Sequence, residues 1–518
     1  MTGELDAFAR RALAIQLGIT LVTCAFSVGY FHPDEHVQIL ELASYKLGIT
    51  RAGELPWEYG RAMRPFLQPA ACFAVLRVLR AVGLEDPFTS AAILRVLHAL
   101  VSLLAVRRLL ARTLPRVPEE ARRAHVVAMC LAGYLPYLFA RTSSENLSGA
   151  LLALAVAELL GRDDERTPGR MLGAGLALGL AFEARYQTGL ASAGIGLWLL
   201  VFRRDRPREI AALLVGALPA LALGALADAW GYGRWVFPAV NYVKVNVFEG
   251  VAAEFGREPF VAYLYLPIAN VFVIPAAVTV LAALIHVARR PRDLLSFAVG
   301  VFVLGHSALS HKEERFVFPV AILATAMIAP ALAPGAGGGA AARALARLWG
   351  ARRGPLGKLV VVGSVLPMVF LALYPLGWRS QAQLARYLYR EAPEGALVVT
   401  RTSARVEDLA FYTQHRWTIE RLDAPRCLAD VARGRPTYLV VDGPTDRIDE
   451  RAWGARGTLV FEDFPLYERS AWVREVVAPQ AVAATRAITA RTGVTPQIQW
   501  HALFAIDPSA RCVGEDRK

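Results

Sequence analysis

Long apolar windows, repeated from the N-terminus to about residue 378, constrain this chain more than any other feature. Each holds about 17–25 largely uncharged residues, enough for an α-helix to cross a bilayer core. Backbone in lipid must satisfy its own N–H and C=O groups, so such windows fold as helices and pack together. With 55% hydrophobic residues and a mean hydropathy of +0.37, the 518-residue chain is too apolar for an ordinary water-soluble protein. The expected fold is a polytopic α-helical membrane protein.

After residue 378 no such window occurs, which divides the chain into a transmembrane region (1–378) and a soluble region (379–518). Short apolar runs at Ala396–Thr400, Tyr438–Asp442 and Gly457–Phe461 alternate with candidate helices, the pattern of a small α/β domain. No nucleophile elbow, phosphate loop or metal-ligand spacing occurs in the tail, so a structural or acceptor-guiding role fits it better than catalysis.

The formal net charge of +13 raises the question of nucleic acid. Its arginines, however, collect in short loops between apolar windows, around 107–123, 203–208 and 289–292, where they set membrane orientation. Nucleic-acid binding is therefore not expected. Arg10 and Arg11 precede the first window and hold the N-terminus inside, as in an uncleaved signal anchor. Further windows fall near 88–106, 125–140, 143–161, 171–185, 187–202, 209–228, 262–288, 294–310, 316–333 and 359–378. With the first at 12–30 they make about eleven spans. Alternating them puts the basic loops 162–170, 203–208, 289–292 and 343–358 inside and the tail outside. Residues 66–83 do not fit as a span because crossing there inverts every later loop; an interfacial or re-entrant helix is one solution, an error among the short spans another. Residues 334–358, rich in Gly, Ala and Arg, read as a flexible inner linker. Of the five cysteines, Cys24, Cys72 and Cys130 sit in or near apolar windows; Cys427 and Cys512 can pair if the tail faces an oxidising compartment.

Under this topology the outer segments are 31–65, 141–146, 183–187, 228–261 and 311–315, and they carry nearly all of the candidate chemistry. His311, Lys312, Glu313, Glu314 and Arg315 stand between two apolar windows; the cations suit a phosphate and the carboxylates can orient them. Asp34 and Glu35 follow His32 and Pro33, and can serve as a general base or stabilise a helix N-terminus. Arg141–Asn146 opens a helix, where Ser143 or Ser144 can be a simple cap. Glu183, Arg185 and Gln187 interrupt apolar sequence; mutual neutralisation of Glu183 and Arg185 is the plain alternative to function. Trp230, Tyr232, Trp235, Asn241, Tyr242 and Asn246 suit an aromatic belt as well as a sugar- or lipid-contacting surface.

These residues, in their order, resemble glycosyltransferase family 22, the multi-spanning mannosyltransferases of GPI-anchor and N-glycan precursor assembly. Phe31–Glu35 with Gln38 resembles the family's first-loop motif, and Leu55–Tyr59 with Arg61 and Arg64 its next segment. Arg141–Asn146, then Asp228–Trp235 with Asn241–Val247, and finally His311–Pro319 resemble the three that follow. Pro56 and Tyr59 depart from the usual Thr and Trp, Pro259–Tyr263 lacks the usual aromatic–histidine pattern, and the tail has no counterpart.

The resemblance implies a GT-C fold and an inverting transfer of mannose from a dolichyl- or polyprenyl-phosphate donor, as co-substrate, to a glycan or glycolipid hydroxyl. It implies Asp34 as base with Glu35 as second choice, and His311, Lys312, Arg315 and Arg185 around the donor phosphate. It gives acceptor or sugar contacts to His32, Trp57, Glu58, Arg64, Arg141, Asn146, Gln187, Trp230, Tyr232, Asn241 and Asn246. Neither a metal nor another cofactor is required. The Ala- and Arg-rich composition favours a bacterial inner-membrane protein with its active site and tail in the periplasm. A GT-C enzyme using another lipid-linked sugar, a lipid or glycolipid transporter and a membrane-anchored scaffold are the rival readings; the absence of an internal repeat and the one-sided charges favour the enzyme.

Overall fold

The computed structural model describes residues 3–161, 167–203, 206–269, 272–332, 355–373, 379–400, 409–422, 427–428, 435–442, 445, 447–463, 471–472, 475–476, 479–480, 483 and 501–507. The basic loop residues Arg162, Arg166 and Arg204, the linker up to residue 354 and Cys512 lie outside the described residues. The chain divides into two compact units. One comprises Met1–Phe26, Pro56–Leu76 and Ala92–Tyr374; the other comprises Ser27–Leu55, Arg77–Ala91 and Pro375–Lys518. The soluble tail thus shares its unit with most of the first outer segment.

In chain order the helices begin with α1 (Gly3–Phe26), the short α2 (Pro33–Glu35) and α3 (Glu41–Lys46), then α4 (Trp57–Gly60), α5 (Leu67–Ala81) and α6 (Pro87–Thr113). The awkward segment near 66–83 is α5, a helix too short for an ordinary span. Next come α7 (Glu119–Leu131) and α8 (Tyr134–Phe139), which together replace the continuous span expected over 125–140. The ladder breaks at Ala132, whose backbone is extended. Then follow α9 (Ser144–Leu159), α10 (Pro168–Ala184), α11 (Gly189–Phe202) and α12 (Pro207–Tyr232).

After α13 (Pro238–Val243) the chain runs through short irregular helical turns to α14 (Val273–Arg289) and α15 (Leu294–Ser307). A 3-10 turn at Glu314–Val320 leads into α16 (Ala321–Ala326) and α17 (Ile328–Leu332). The windows expected as spans over 262–288 and 316–333 therefore begin in 3-10 turns, where Pro267 and Pro319 remove backbone donors. Among the described residues, by length and composition, α1, α6 and α12 can each cross a membrane, and the bent pair α14–α15 makes at most a fourth. The expected windows 143–161, 171–185 and 187–202 fold as the single helices α9, α10 and α11, of 16, 17 and 14 residues. The structure remains a helical membrane protein carrying a separate α/β sheet.

Within the membrane unit α10 packs on α9 and α12, and α11 packs on α15. Small residues make the α10–α12 approach possible: a methyl built on Gly175 would overlap the Leu213 carbonyl, and one on Gly216 would overlap the backbone of Leu172. On α12, Leu214, Leu218 and Leu226 are exposed, as expected for a face that meets lipid. Caps place the helix ends: Thr167 accepts from the Arg170 N–H before Pro168, and Ser143 accepts from the Asn146 N–H at 3.2 Å.

The second unit contains a five-stranded sheet in the order β2 (Thr418–Arg421), β1 (Leu397–Thr400), β3 (Thr437–Asp442), β5 (His501–Ile506) and β4 (Gly457–Glu462). The β2–β1–β3 half is parallel, and β5 runs antiparallel to both β3 and β4. Three strands coincide with the apolar runs read from sequence. Leu397, Val399, Leu439 and Phe504 form the core with Trp453. Burial pushes His501 down to about 4, so it is neutral at physiological pH, and its Nδ1 lies 3.0 Å from the Ser380 hydroxyl. Cys427 is disulfide-bonded.

Candidate active site

The start of α9 organises the charges of the membrane unit. Ser143 supplies the cap, so Glu145 falls in the first turn, where the helix dipole favours a carboxylate. Glu145 is 3% exposed, and its Oε1 accepts from Arg185 Nη1 at 3.0 Å and from Arg315 Nη1 at 3.1 Å. Arg185 is the residue at which α10 ends, and its Nη1 also donates to the Ser144 hydroxyl at 3.0 Å. Arg315 enters from the 3-10 turn, which packs on α9; a side chain at Gly149 would overlap Pro319 and prevent that approach. The Phe316 ring lies under both guanidiniums, 5.0 Å from Arg315 and 5.6 Å from Arg185.

The remaining signature residues extend this network. Arg315 Nε donates to Glu313 Oε2 at 2.5 Å, and His311 Nε2 lies 2.9 Å from Glu313 Oε1. Glu258, which sequence reasoning missed, accepts the Lys312 N–H at 2.7 Å and lies 3.8 Å from His311 Nδ1. Lys312 Nζ donates to the carbonyls of Glu258 and Leu309. Three basic side chains, Arg185, Lys312 and Arg315, thus stand among three acidic ones, Glu145, Glu258 and Glu313. A cluster so balanced tolerates burial where an unpaired charge would not.

A second group of motif residues belongs to the same unit. Arg64 donates to Glu58 at 3.2 Å and lies 5.5 Å from the centre of the Tyr242 ring. Gln187 Nε2 donates to the Tyr242 hydroxyl at 2.5 Å, two residues beyond Arg185. Tyr232 donates to the Arg64 carbonyl at 2.8 Å, and Asn241 Nδ2 to the Ala62 carbonyl at 3.0 Å. Asp228, which opens the motif Asp228–Trp235 but has no role assigned from sequence, accepts the Phe66 N–H at 2.7 Å and the Tyr186 hydroxyl at 3.4 Å. Asn246 returns to its own helix at the Tyr242 carbonyl, 3.1 Å away. Trp230 packs on Phe73 and Phe66, while Trp57 is half exposed and stacks on Phe255.

The proposed pairing of Glu183 with Arg185 does not form: Arg185 turns to Glu145, and Glu183 lies against Gly224 of α12. Asn146 has a structural task, donating to the carbonyls of Phe139 and Arg141 and accepting from the Ser102 hydroxyl. Arg141 is buried against the Tyr137 ring. Of the residues expected to contact sugar, Arg64 and Gln187 meet at Tyr242, Asn146 sits in the turn beside Glu145, and Trp57 stacks on Phe255, whose ring centre lies 6.1 Å from that of His311.

The first-loop motif lies in the other unit. His32 caps α2, accepting the Asp34 N–H at 3.2 Å, and its ring nitrogen lies 3.6 Å from the Asp34 carboxylate; both side chains are partly exposed. Glu35 is buried and accepts the Phe31 N–H at 2.9 Å, a local cap. His36 is stacked between the rings of Tyr30 and Tyr412 at 5.1 and 5.2 Å. Its Nε2 lies 2.6 Å from Glu41, which also accepts from the Thr50 hydroxyl at 2.5 Å and the Phe411 N–H at 3.0 Å. The first loop and the tail therefore share one buried polar core.

Fold and site together define a helical membrane protein built around a buried arginine–carboxylate cluster. The chain belongs to the Alg9-like mannosyltransferase family, whose sequence model matches residues 12–376. It is 28% identical over 318 residues to GPI alpha-1,2-mannosyltransferase 3 of Xenopus laevis, covering 59% of this chain and 56% of that protein. It is 27% identical over 319 residues to GPI mannosyltransferase 3 of Yarrowia lipolytica, covering 59% and 60%. The matched region thus spans little more than half of either relative's length. Among solved structures, ArnT from Cupriavidus metallidurans bound to undecaprenyl phosphate superposes with a TM-score of 0.49 at 15% identity, over 98% of this chain and 99% of that one.

Proposed function

We propose that this chain is an inverting GT-C glycosyltransferase that moves mannose from a polyprenyl- or dolichyl-phosphate donor to a hydroxyl of a glycan or glycolipid. The observation that carries the reading is the convergence on Glu145: Arg185 and Arg315, 130 positions apart in the sequence, share one oxygen of that buried carboxylate. Family motifs far apart in the chain meet there, at the kind of charge a lipid phosphate requires.

In the proposed reaction the acceptor oxygen attacks the anomeric carbon as the bond from that carbon to the phosphate oxygen breaks. The acceptor proton passes to Asp34, and the electron pair of the broken bond leaves with the lipid phosphate. General-base help of this kind contributes about 10²–10⁴-fold. Arg185, Arg315, His311 and Lys312 face the developing phosphate charge, with Glu145 and Glu313 fixing the guanidiniums in advance. A phosphate monoester leaves readily once neutralised, so the scheme needs no metal and no further cofactor. Arg64, Glu58, Gln187, Asn241 and Tyr232 are the proposed sugar and acceptor contacts.

Donor and acceptor meet on the outer side of a bacterial inner membrane, with residues 379–518 in the periplasm. The disulfide at Cys427 supports an oxidising surrounding for that domain. Membranes containing the chain, supplied with a panel of labelled polyprenyl-phosphate sugars, should transfer mannose in preference to glucose or arabinose. Transfer of another sugar would assign a different donor, and transfer of none would remove the enzyme reading.

A further inference from the structure

Arg141 differs from the arginines around it. Arg185, Arg315 and Arg64 each bind a carboxylate. Arg141 is 3% exposed, and its Nε and Nη2 groups are buried without an acceptor. Its guanidinium lies 4.8 Å from the centre of the Tyr137 ring. Nearby carbonyls are already engaged: its own accepts from Asn146 at 2.9 Å, and that of Thr142 accepts from Gln68 at 2.7 Å. A guanidinium cannot discard its proton at physiological pH, so a buried one with idle donors calls for an anion. Nε–H and Nη2–H form one edge of the guanidinium, the fork that fits two oxygens of a phosphate. The 16-residue helix α9 starts three residues further on, and its N-terminal end adds attraction for negative charge.

We infer that Arg141 grips the phosphate of the lipid-linked sugar through its Nε–Nη2 edge, rather than a sugar hydroxyl. The inference rests on the functional reading above and changes the part of Arg141 within it. Arg185 and Arg315 then form a pre-balanced wall whose charge is largely met by protein, while Arg141 supplies the charge that protein leaves unmet.

Binding of polyprenyl phosphate, of the corresponding neutral polyprenol and of inorganic phosphate to the full chain in lipid nanodiscs tests this. The wild type should prefer polyprenyl phosphate to polyprenol, and inorganic phosphate should compete. Arg141→Gln should weaken polyprenyl phosphate by about 10- to 100-fold, the range of charged hydrogen bonds, and leave polyprenol unchanged. Wild-type affinity in Arg141→Gln overturns the assignment, and so does an equal loss for polyprenol, which marks a structural role. If Arg141→Gln does not fold, Arg141→Lys decides: it keeps the charge and loses the fork, so undiminished affinity overturns the assignment. Inorganic phosphate bound as tightly as the lipid form would make this a free-phosphate site and overturn the lipid assignment. A wild type that does not distinguish polyprenyl phosphate from polyprenol overturns the functional reading itself, independently of any variant.

Discussion

Glu145 and Glu41, one in each unit, are both buried carboxylates that draw several donors, yet they do different things. Glu145 is met by two guanidiniums, so removing it would strand like charges in a low-dielectric interior. Glu41 is met by a histidine ring, a hydroxyl and a backbone N–H, all local partners of a folded core. In the proposed function the first arrangement holds Arg185 and Arg315 in position for the donor phosphate. The second fastens residues 36–50 to the segment at Phe411. What separates a site from a staple is thus the charge of the partners, not the burial of the carboxylate.

Substituting each carboxylate separates the two roles. Glu145→Gln should cost about 3–5 kcal/mol of stability, the usual loss when one side of a buried charge network is removed. Denaturant or thermal unfolding in detergent reads this, and sugar transfer should fall with it. A loss below about 1 kcal/mol, the scale of an exposed pair, would show that Glu145 does not anchor the arginines. Glu41→Ala should cost less, about 1–3 kcal/mol for orphaned hydrogen-bond partners, and per-molecule sugar transfer should survive in the protein that remains folded. Loss of transfer in folded Glu41→Ala would remove the contrast between site and staple.

Much of this was legible in the sequence because it obeys local rules. Apolar windows announced the helices, and three of the five strands appeared as runs of Leu, Val and neighbouring apolar residues. The other two, Thr418–Arg421 and His501–Ile506, lie within less regular sequence and are strands through their pairing with β1, β3 and β4. Helix continuity was overread at 262–288 and 316–333, where hydropathy is blind to a 3-10 turn and to the donor that a proline removes. In the site, the cations at 311–315 stood out because charge between apolar windows is costly. Of their carboxylate partners Glu313 is legible beside them and does bind Arg315, whereas Glu145 and Glu258 are not, since nothing local tells which distant cation will arrive. Nor does spacing reveal that the first loop shares its core with the tail, a connection made by the Glu41 carboxylate and the Phe411 N–H, 370 positions apart.

The central claim is a sugar transfer in which Asp34 takes the acceptor proton. Comparing Asp34→Asn with the wild type, at matched amounts in the membrane and with labelled polyprenyl-phosphate mannose, tests it most directly. The account predicts a fall in transfer of about 10²–10⁴-fold with expression and unfolding temperature unchanged. Transfer at the wild-type rate would contradict it.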